Sequence, residues 1–350
     1  MRDNWPTNDW IKLEPQKVGM NYDKFISADR EIVKNLKHVN SFLVIRNGYL
    51  VFEEYYNGTD ANTLNPVNSI TKSIISLLIG IAIEKRYIKN VNQKLIEFLP
   101  EYENDIGNSL IGEIAISHLL KMGAGFEWES ADFKEPLLKN MIKSSDWIKY
   151  ILNIPLNRDR IGKFEYNSGV SHLLSVIITK AIGMRTQDFA NKFLLQSIGV
   201  EGIRDTEINK TYYLNSTKWT RKRQWDIDSQ GINIGGFGLS FKSRDLAKIG
   251  YLIINNGIWE NKQVVSKEWI INSTKPHIDV QGMMKYGYHW WVMDRKNIKI
   301  IFALGYGGQY LAIIPQLDLI TVITSENDID CDSNRDPGYI LYKYVLKALE

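Results

Sequence analysis

The feature that most constrains this chain is an apolar run over residues 74–83, which follows the tetrapeptide Ser69-Ile70-Thr71-Lys72. The run is apolar on nearly every side of a helix, a pattern typical of a buried helix rather than a surface one. Residues three apart share a helix face, so the Ser69 hydroxyl and the Lys72 amine are predicted to meet. Ser69 is expected at the helix N-terminus, where developing negative charge is favoured.

This pair has two interpretations. A serine hydroxyl is a poor nucleophile without an adjacent base, and a buried lysine can be that base because burial lowers its pKa. Alternatively, Ser69 is an ordinary N-cap and Lys72 a surface lysine whose stem lies along apolar surface. No other serine here has a lysine three residues later, yet the spacing alone leaves both interpretations open.

The composition indicates an ordinary globular protein. With 350 residues, 44% hydrophobic and 24% charged, the chain suits one large domain or two closely packed ones. A net charge of +3 with scattered basic residues argues against a nucleic-acid partner. The single cysteine, Cys331, allows no disulfide framework within the chain. The first residues show no signal peptide and no apolar run is long enough to span a bilayer, so a cytoplasmic location is the default expectation.

The order of local patterns predicts an α+β fold. Two strand-like runs, residues 42–46 and 49–52, flank Asn47-Gly48, the strongest short signal for a hairpin. Further strands are predicted near the C-terminus, at residues 288–293, 298–304, 310–314 and 319–324. We therefore expect an antiparallel sheet domain from residues 1–85 and 226–350, flanked by helices, with an all-helical domain over residues 86–225 inserted between its halves.

Other hydrolase signatures are missing. No Gly-x-Ser-x-Gly elbow occurs, the five histidines show no metal-ligand spacing, and no carboxylate pair indicates a glycosidase. The glycines of residues 235–238 lack the context of a nucleotide loop and are expected to allow a tight backbone path at a cleft wall. His118 and His172 lie in or beside helical apolar stretches and are expected to be structural.

Two later segments could complete a serine–lysine site. Tyr166 lies in a loop that enters a helix, and a tyrosine near a buried ammonium could have a lowered pKa and act as a base. It could equally be a core aromatic with a polar tip. The glycine-rich residues 305–309 lie between two strands, where a backbone N–H could join the Ser69 amide in an oxyanion hole; the alternative is a simple hairpin turn.

These stretches in this order resemble the serine β-lactamase and penicillin-binding-protein superfamily. The nearest branch is the one around class C β-lactamases, D-alanyl-D-alanine carboxypeptidases, carboxylesterases and 6-aminohexanoate-dimer hydrolases. The matching segments are residues 69–73, 116–122, 164–169, 235–245 and 305–315. The resemblance implies an active site between an α/β domain and an all-helical domain.

By this resemblance, Ser69 is the nucleophile, Lys72 its activating partner and Tyr166 the catalytic tyrosine, with the Ser69 and Gln309 amides as the oxyanion hole. Two departures concern substrate binding. Ser168 stands where the family pattern Tyr-x-Asn has an amide, and Tyr306-Gly307-Gly308 replaces Lys-Thr-Gly. The second change removes a cation and a hydroxyl that usually help to hold a β-lactam or peptide carboxylate.

The sequence thus predicts a serine hydrolase that cleaves a small-molecule ester, amide or β-lactam-like substrate without metal or cofactor. The departures favour an esterase or amidase over a β-lactamase or carboxypeptidase. The alternative is a penicillin-binding or sensing protein that acylates with little or no turnover. The pocket is expected to draw on residues 211–228 and on Trp128, Trp219 and Trp225, unless these tryptophans belong to the core.

Overall fold

A computed structural model describes residues 2, 4–105, 107, 109–130, 135–208, 224–295, 297–326 and 336–350. Its central feature is an antiparallel eight-stranded sheet of order β2-β1-β14-β13-β12-β11-β10-β9. Short strand pairs accompany it. The strands are β1 Val39–Arg46, β2 Tyr49–Tyr55, β3 Asn65–Pro66, β4 Asp205–Glu207, β5 Trp225–Ile227, β6 Ser240–Phe241, β7 Ile258–Trp259, β8 Lys262–Gln263, β9 Ile278–Gln281, β10 Met284–Tyr286, β11 Trp291–Arg295, β12 Ile298–Gly305, β13 Gln309–Ile314 and β14 Leu319–Ser325.

Both ends of the chain build this sheet. Strand β1 pairs with β2 on one side and with β14 on the other, so that Val44 lies opposite both Phe52 and Thr321. The β1–β2 turn has positive φ at Asn47 and Gly48 (53° and 82°), as a two-residue hairpin turn requires. The predicted hairpin and the α+β fold class are therefore confirmed.

Helices accompany the sheet, and one of them directly follows Ser69. The α-helices are α1 Tyr22–Asn35, α2 Ile70–Glu84, α3 Ile116–Leu120, α4 Pro136–Lys143, α5 Trp147–Leu152, α6 Ser168–Ile182, α7 Thr186–Ala190, α8 Ser243–Ile254 and α9 Lys267–Ser273. Helix α2 packs against strands β12 and β13 of the sheet and also against helix α6. Residues 70–82 are buried without a break, as their unbroken hydrophobicity predicts.

Two predicted boundaries are wrong for local reasons. Ser117 is of a residue type that favours the N-cap, which predicts a helix over residues 118–122. The helix α3 begins instead at Ile116, and His118 Nδ1 accepts the Ala115 N–H at 3.1 Å. The strand predicted from residue 288 begins only at Trp291, because His289 has a φ of 60° and this breaks the extended backbone.

Within the described ranges, no helix is long and apolar enough to cross a membrane. The same residues contain no group of three or more potential metal ligands of the His, Cys, Asp and Glu types. The domain boundaries at residues 85 and 225 stay a prediction. Short strand β4, inside the segment predicted to be helical, pairs with β5 just beyond it.

Candidate active site

Ser69 is placed by the turn that leads from strand β3 into helix α2. Asn68 adopts a left-handed backbone with φ of 48°, which turns the chain sharply before the helix. Its side-chain amide donates to the Tyr306 carbonyl at 2.7 Å. Ser69 is the half-buried residue directly before the helix. The nucleophile candidate therefore lies where the helix start meets the β12–β13 turn.

Lys72 reaches back along α2 toward Ser69, as the spacing predicts. Its Nζ lies 2.8 Å from Ser69 Oγ, 3.0 Å from Ser168 Oγ and 2.7 Å from the Gly236 carbonyl oxygen. Only 1% of its surface is exposed. The surface-lysine interpretation is therefore wrong, because the amine ends in a buried ring of acceptors and not in solvent.

The surroundings of Lys72 bring the ionisation of its amine close to physiological pH. Burial lowers the pKa of Lys72 to about 8, although the nearby negative charge of Glu135 raises it in part. Desolvation penalises the ammonium form. A lysine with a pKa close to the working pH can both accept and return a proton.

Tyr166 completes the cluster around Ser69. Its hydroxyl is hydrogen-bonded to Ser69, the Lys72 Nζ lies 4.7 Å from its ring centroid, and its ring stacks on Trp291 at 6.0 Å. Burial and then the Glu135 charge raise the pKa of Tyr166, and the Ser69 bond lowers it only in part. The expected lowering of this pKa is therefore wrong: desolvation and a neighbouring carboxylate favour the neutral phenol.

Glu135 is the site residue that the sequence analysis missed. The hydroxyl of Ser168 donates to Glu135 Oε1 at 2.7 Å, and Trp128 Nε1 donates to Glu135 Oε2 at 2.8 Å. The backbone N–H of Ser168 also donates to Oε2. Ser168 is thus bonded within the Lys72 cluster, and its predicted substrate-binding role stays a prediction. The hydroxyl at position 168 needs an acceptor, but no local pattern identifies which carboxylate supplies it.

The glycines at 235 and 236 let a loop approach the start of helix α6. A Cβ on Gly236 would lie 2.7 Å from the Ser168 carbonyl oxygen, and one on Gly235 would lie 2.1 Å from the Ser171 carbonyl oxygen. Real Cβ atoms do not occupy such positions, so both sites require glycine. The predicted tight backbone path is present, and it delivers the Gly236 carbonyl to Lys72.

The predicted oxyanion element lies beside the nucleophile turn. Gly305 is opposite Gln309 at the end of the β12–β13 ladder, and a Cβ on Gly305 would lie 2.3 Å from the Val67 carbonyl oxygen. The Gln309 side chain bonds to the Ser325 backbone, donating to its carbonyl at 2.9 Å and accepting its N–H at 3.0 Å. The oxyanion role of the Ser69 and Gln309 amides stays a prediction.

The turn that replaces Lys-Thr-Gly is exposed at its first residue. Tyr306 has 59% of its surface accessible, and Gly307 and Gly308 have positive φ values of 80° and 85°. The Gly308 carbonyl accepts from Ser325 Oγ at 3.0 Å. A substrate contact by these three residues stays a prediction.

The predicted tryptophan wall is not present in the described part of the chain. Trp128 and Trp225 are both fully buried, and Trp225 Nε1 donates to the Ile234 carbonyl at 2.9 Å. Trp225 is therefore a core residue, and Trp128 lies behind the site against Glu135. Trp219 and most of the predicted 211–228 pocket segment lie outside the described residues.

A cavity of about 490 Å³ adjoins Tyr166. It lies between the loop that precedes helix α6 and strand β9 at the sheet edge. Its lining is formed by Ser130, Arg160, Lys163, Phe164, Glu165, Tyr166, Val280 and Gln281. The cavity gives the Ser69 cluster an adjoining space that a small substrate could fill.

The two histidines expected to be structural have defined partners. His118 caps helix α3, and His172 Nε2 lies 3.0 Å from Asp228 Oδ2 with both side chains fully buried. This second pair connects helix α6 to the loop that carries Gly236. The pair makes no contact with Ser69 and holds this loop to helix α6.

Known proteins resemble this chain in sequence or in fold. A 6-aminohexanoate-dimer hydrolase from Paenarthrobacter ureafaciens is 22% identical over 307 residues, covering 81% of this chain and 71% of the relative. A class C β-lactamase from Rhodobacter sphaeroides has a TM-score of 0.70 at 14% identity, covering 94% of this chain and 100% of that chain. EstCE1, a hydrolase with promiscuous acyltransferase activity, has a TM-score of 0.71 at 14% identity. The match covers 94% of this chain and 98% of EstCE1. The Beta-lactamase family model matches residues 34–341. With this match over most of its length, the chain belongs to the β-lactamase family of hydrolases.

Proposed function

We propose that this protein is a serine hydrolase that cleaves an ester or amide through an acyl-enzyme on Ser69. The observation that carries the proposal is the 2.8 Å contact between Lys72 Nζ and Ser69 Oγ, in a buried cluster that also holds the Tyr166 hydroxyl. Nucleophilic catalysis by serine requires a base beside the hydroxyl. Here the Ser69 hydroxyl contacts both Lys72, as the candidate base, and the hydroxyl of Tyr166.

The reaction follows from these contacts. Ser69 Oγ attacks the substrate carbonyl while its proton passes to the neutral Lys72 amine. The tetrahedral oxyanion is stabilised by the Ser69 and Gln309 amides. Tyr166, a neutral phenol, passes the proton from Lys72 to the leaving group as the acyl bond breaks. Water then attacks the acyl-enzyme and restores Ser69.

An ester or linear amide fits this site better than a β-lactam. The turn Tyr306-Gly307-Gly308 lacks the cation that would pair with a β-lactam carboxylate. A relative named for hydrolysis of the 6-aminohexanoate dimer supports an amide substrate. The alternative is a penicillin-binding or sensing protein that acylates without efficient turnover.

The test is intact-protein mass and turnover with p-nitrophenyl butyrate and benzylpenicillin. Ser69→Ala is expected to lose ester turnover by at least roughly two orders of magnitude with unchanged folding by circular dichroism. The matched control is Ser76→Ala on the same helix, whose buried hydroxyl has no hydrogen-bond partner in the described residues; it should retain activity.

The outcomes separate the two functions. Rapid ester hydrolysis without a lasting penicillin adduct supports the hydrolase. A persistent penicillin adduct on wild type that is absent from Ser69→Ala, with little ester turnover, supports the sensing protein. Wild-type turnover in Ser69→Ala would remove Ser69 from the mechanism.

A further inference from the structure

The contacts of Glu135 determine which way the Ser168 hydroxyl points. An ionised carboxylate only accepts hydrogen bonds, so the proton of Ser168 Oγ is directed to Glu135 Oε1 at 2.7 Å. The other carboxylate oxygen accepts from Trp128 Nε1 and from the Ser168 backbone. With its proton used in this way, Ser168 Oγ presents a lone pair to Lys72 Nζ at 3.0 Å.

Lys72 therefore faces two groups that can only accept. The Gly236 carbonyl has no proton to give, and it lies 2.7 Å from Nζ. A neutral amine has two N–H bonds and one lone pair in a tetrahedral arrangement. When the two N–H bonds point to Gly236 and Ser168, the remaining direction, toward Ser69 Oγ at 2.8 Å, is taken by the lone pair.

We propose that Glu135 is a positioning residue that holds Ser168 as a hydrogen-bond acceptor and thereby directs the lone pair of Lys72 at the nucleophile. The proposal rests on the hydrolase function proposed above. During attack the Ser69 Oγ–H bond breaks, the Oγ–carbon bond forms and the proton moves to Lys72 Nζ. Glu135 takes no part in this proton transfer and acts only through Ser168.

Glu135 also has an electrostatic effect that a test can detect. Among the residues that the structure describes, the titratable groups that face Lys72 are Glu135, the neutral phenol of Tyr166, and His289, whose pKa burial lowers to about 3. Glu135 is therefore the group that raises the pKa of Lys72 through its charge. Neutralising Glu135 should lower the pKa of Lys72. The acid limb of the pH profile, over which kcat/KM rises as Lys72 loses its proton, should then move to lower pH.

The experiment compares Glu135→Gln with wild type in the full-length protein, using p-nitrophenyl butyrate across pH 6–10. At high pH, where Lys72 is neutral in both proteins, kcat/KM should fall by roughly 10- to 100-fold. The acid limb should shift to lower pH. The control Glu129→Gln removes an exposed carboxylate nearby and should change neither quantity.

A double-mutant cycle tests whether Glu135 acts through Ser168. Ser168→Ala should lower kcat/KM by a similar factor, and adding Glu135→Gln to it should cause little further loss at high pH because the two residues form one unit. Ser168→Ala keeps the carboxylate and supplies the test should Glu135→Gln fail to fold. In that case wild-type kcat/KM in Ser168→Ala overturns the proposal, and a loss of roughly 10-fold or more supports it.

The remaining outcomes overturn the proposal. They are wild-type kinetics in Glu135→Gln, a loss of rate without a shift of the acid limb, a shift without a loss of rate, or additive losses in the cycle. A loss of kcat/KM without a shift of the acid limb would indicate that Glu135 only supports the local structure. Failure of the hydrolase function is seen separately, as turnover that persists in Ser69→Ala, and so cannot be confused with failure at Glu135.

Discussion

At the scale of single residues, the site depends on how burial divides charge between Lys72 and Tyr166. Burial disfavours the charged form of each group, so it lowers the pKa of the amine and raises that of the phenol. The Glu135 charge opposes the first shift and adds to the second. In the proposed mechanism, Lys72 is therefore the base at moderate pH and Tyr166 acts as a neutral hydroxyl.

This division predicts the pH profile of acylation. The pKa of Lys72 lies at about 8, below the usual range of a lysine, so the reactive neutral amine accumulates as the pH rises through that value. We expect kcat/KM for p-nitrophenyl butyrate to rise between about pH 6.5 and pH 9.5 with its midpoint near that pKa. Ser69→Ala supplies the background rate at each pH. A flat profile would contradict the assignment of Lys72 as base.

Lys72→Arg tests the same point without changing the charge of the protonated residue. Arginine stays protonated at all accessible pH values, so it cannot accept the Ser69 proton. We expect a loss of at least roughly two orders of magnitude in kcat/KM and no rising limb. Activity of Lys72→Arg within tenfold of wild type would show that residue 72 contributes only its positive charge to the reaction and does not act as the base.

At the scale of elements, the site depends on a loop that is held against helix α6 by the buried pair His172–Asp228. Asp228 Oδ1 accepts the backbone N–H groups of Gln230 and Ile232, each at 2.8 Å. Burial raises the pKa of this carboxyl, but the bonds from His172 and the two amides outweigh it and lower the pKa overall. The loop then leads to Gly236, whose carbonyl binds Lys72.

Removing this carboxylate should destabilise the fold. Asp228→Ala leaves two backbone N–H groups and an imidazole without their acceptor, and we expect it to reduce the unfolding free energy by about 2–5 kcal/mol. Urea denaturation at neutral pH measures this change. Asp159→Ala, at an exposed position, is the control and should stay within about 0.5 kcal/mol of wild type.

The pH dependence of stability gives an independent check. Because the folded pKa of Asp228 is lowered, its contribution is present above the unfolded pKa and is lost as pH falls through the folded value. The stability difference between wild type and Asp228→Ala should therefore shrink on acidification below about pH 4. A difference that stays constant down to pH 2 would contradict the role of the ionised carboxylate.

At the scale of the whole molecule, the Ser69 cluster lies where helical segments meet the sheet. Helix α2 lies between the sheet strands and helix α6, and the adjoining cavity has residues of strand β9 on one side and of the 160–166 segment on the other. Substrate size should therefore be limited by the space between these two parts. That residues 86–225 form a separate domain stays a prediction.

Filling the cavity from the sheet side tests whether substrates occupy it. Val280 is half-buried in the lining, and Val280→Trp adds bulk without breaking a hydrogen bond of its side chain. We expect KM for p-nitrophenyl octanoate to rise by roughly tenfold, with less than about twofold change for p-nitrophenyl acetate. Ile258→Trp, at a distant strand with 39% exposure, is the control. Equal changes in KM for the two esters would show that the acyl chain of the substrate does not occupy this cavity.

The sequence by itself determined the features that depend on neighbours along the chain. The spacing of Ser69 and Lys72, the hairpin at Asn47-Gly48 and the buried character of α2 follow from helix and strand periodicity, which is local. Helix α6 likewise begins after Asn167, whose side chain accepts the Val170 N–H at 3.1 Å. The resemblance to a known family added Gln309 as the candidate oxyanion residue and gave Tyr166, already a candidate from its loop position, the role of catalytic tyrosine.

Only the tertiary structure decided what surrounds Lys72. Gly236 is 164 residues and Ser168 is 96 residues away along the chain, so no periodicity relates them to the lysine. Glu135 was not predicted because its importance arises from its contact with Ser168 across the fold. The pKa of Tyr166 was mispredicted because desolvation and the Glu135 charge depend on three-dimensional surroundings. Local patterns placed Ser69 and Lys72 side by side, whereas long-range packing determines which protonation states the site can use.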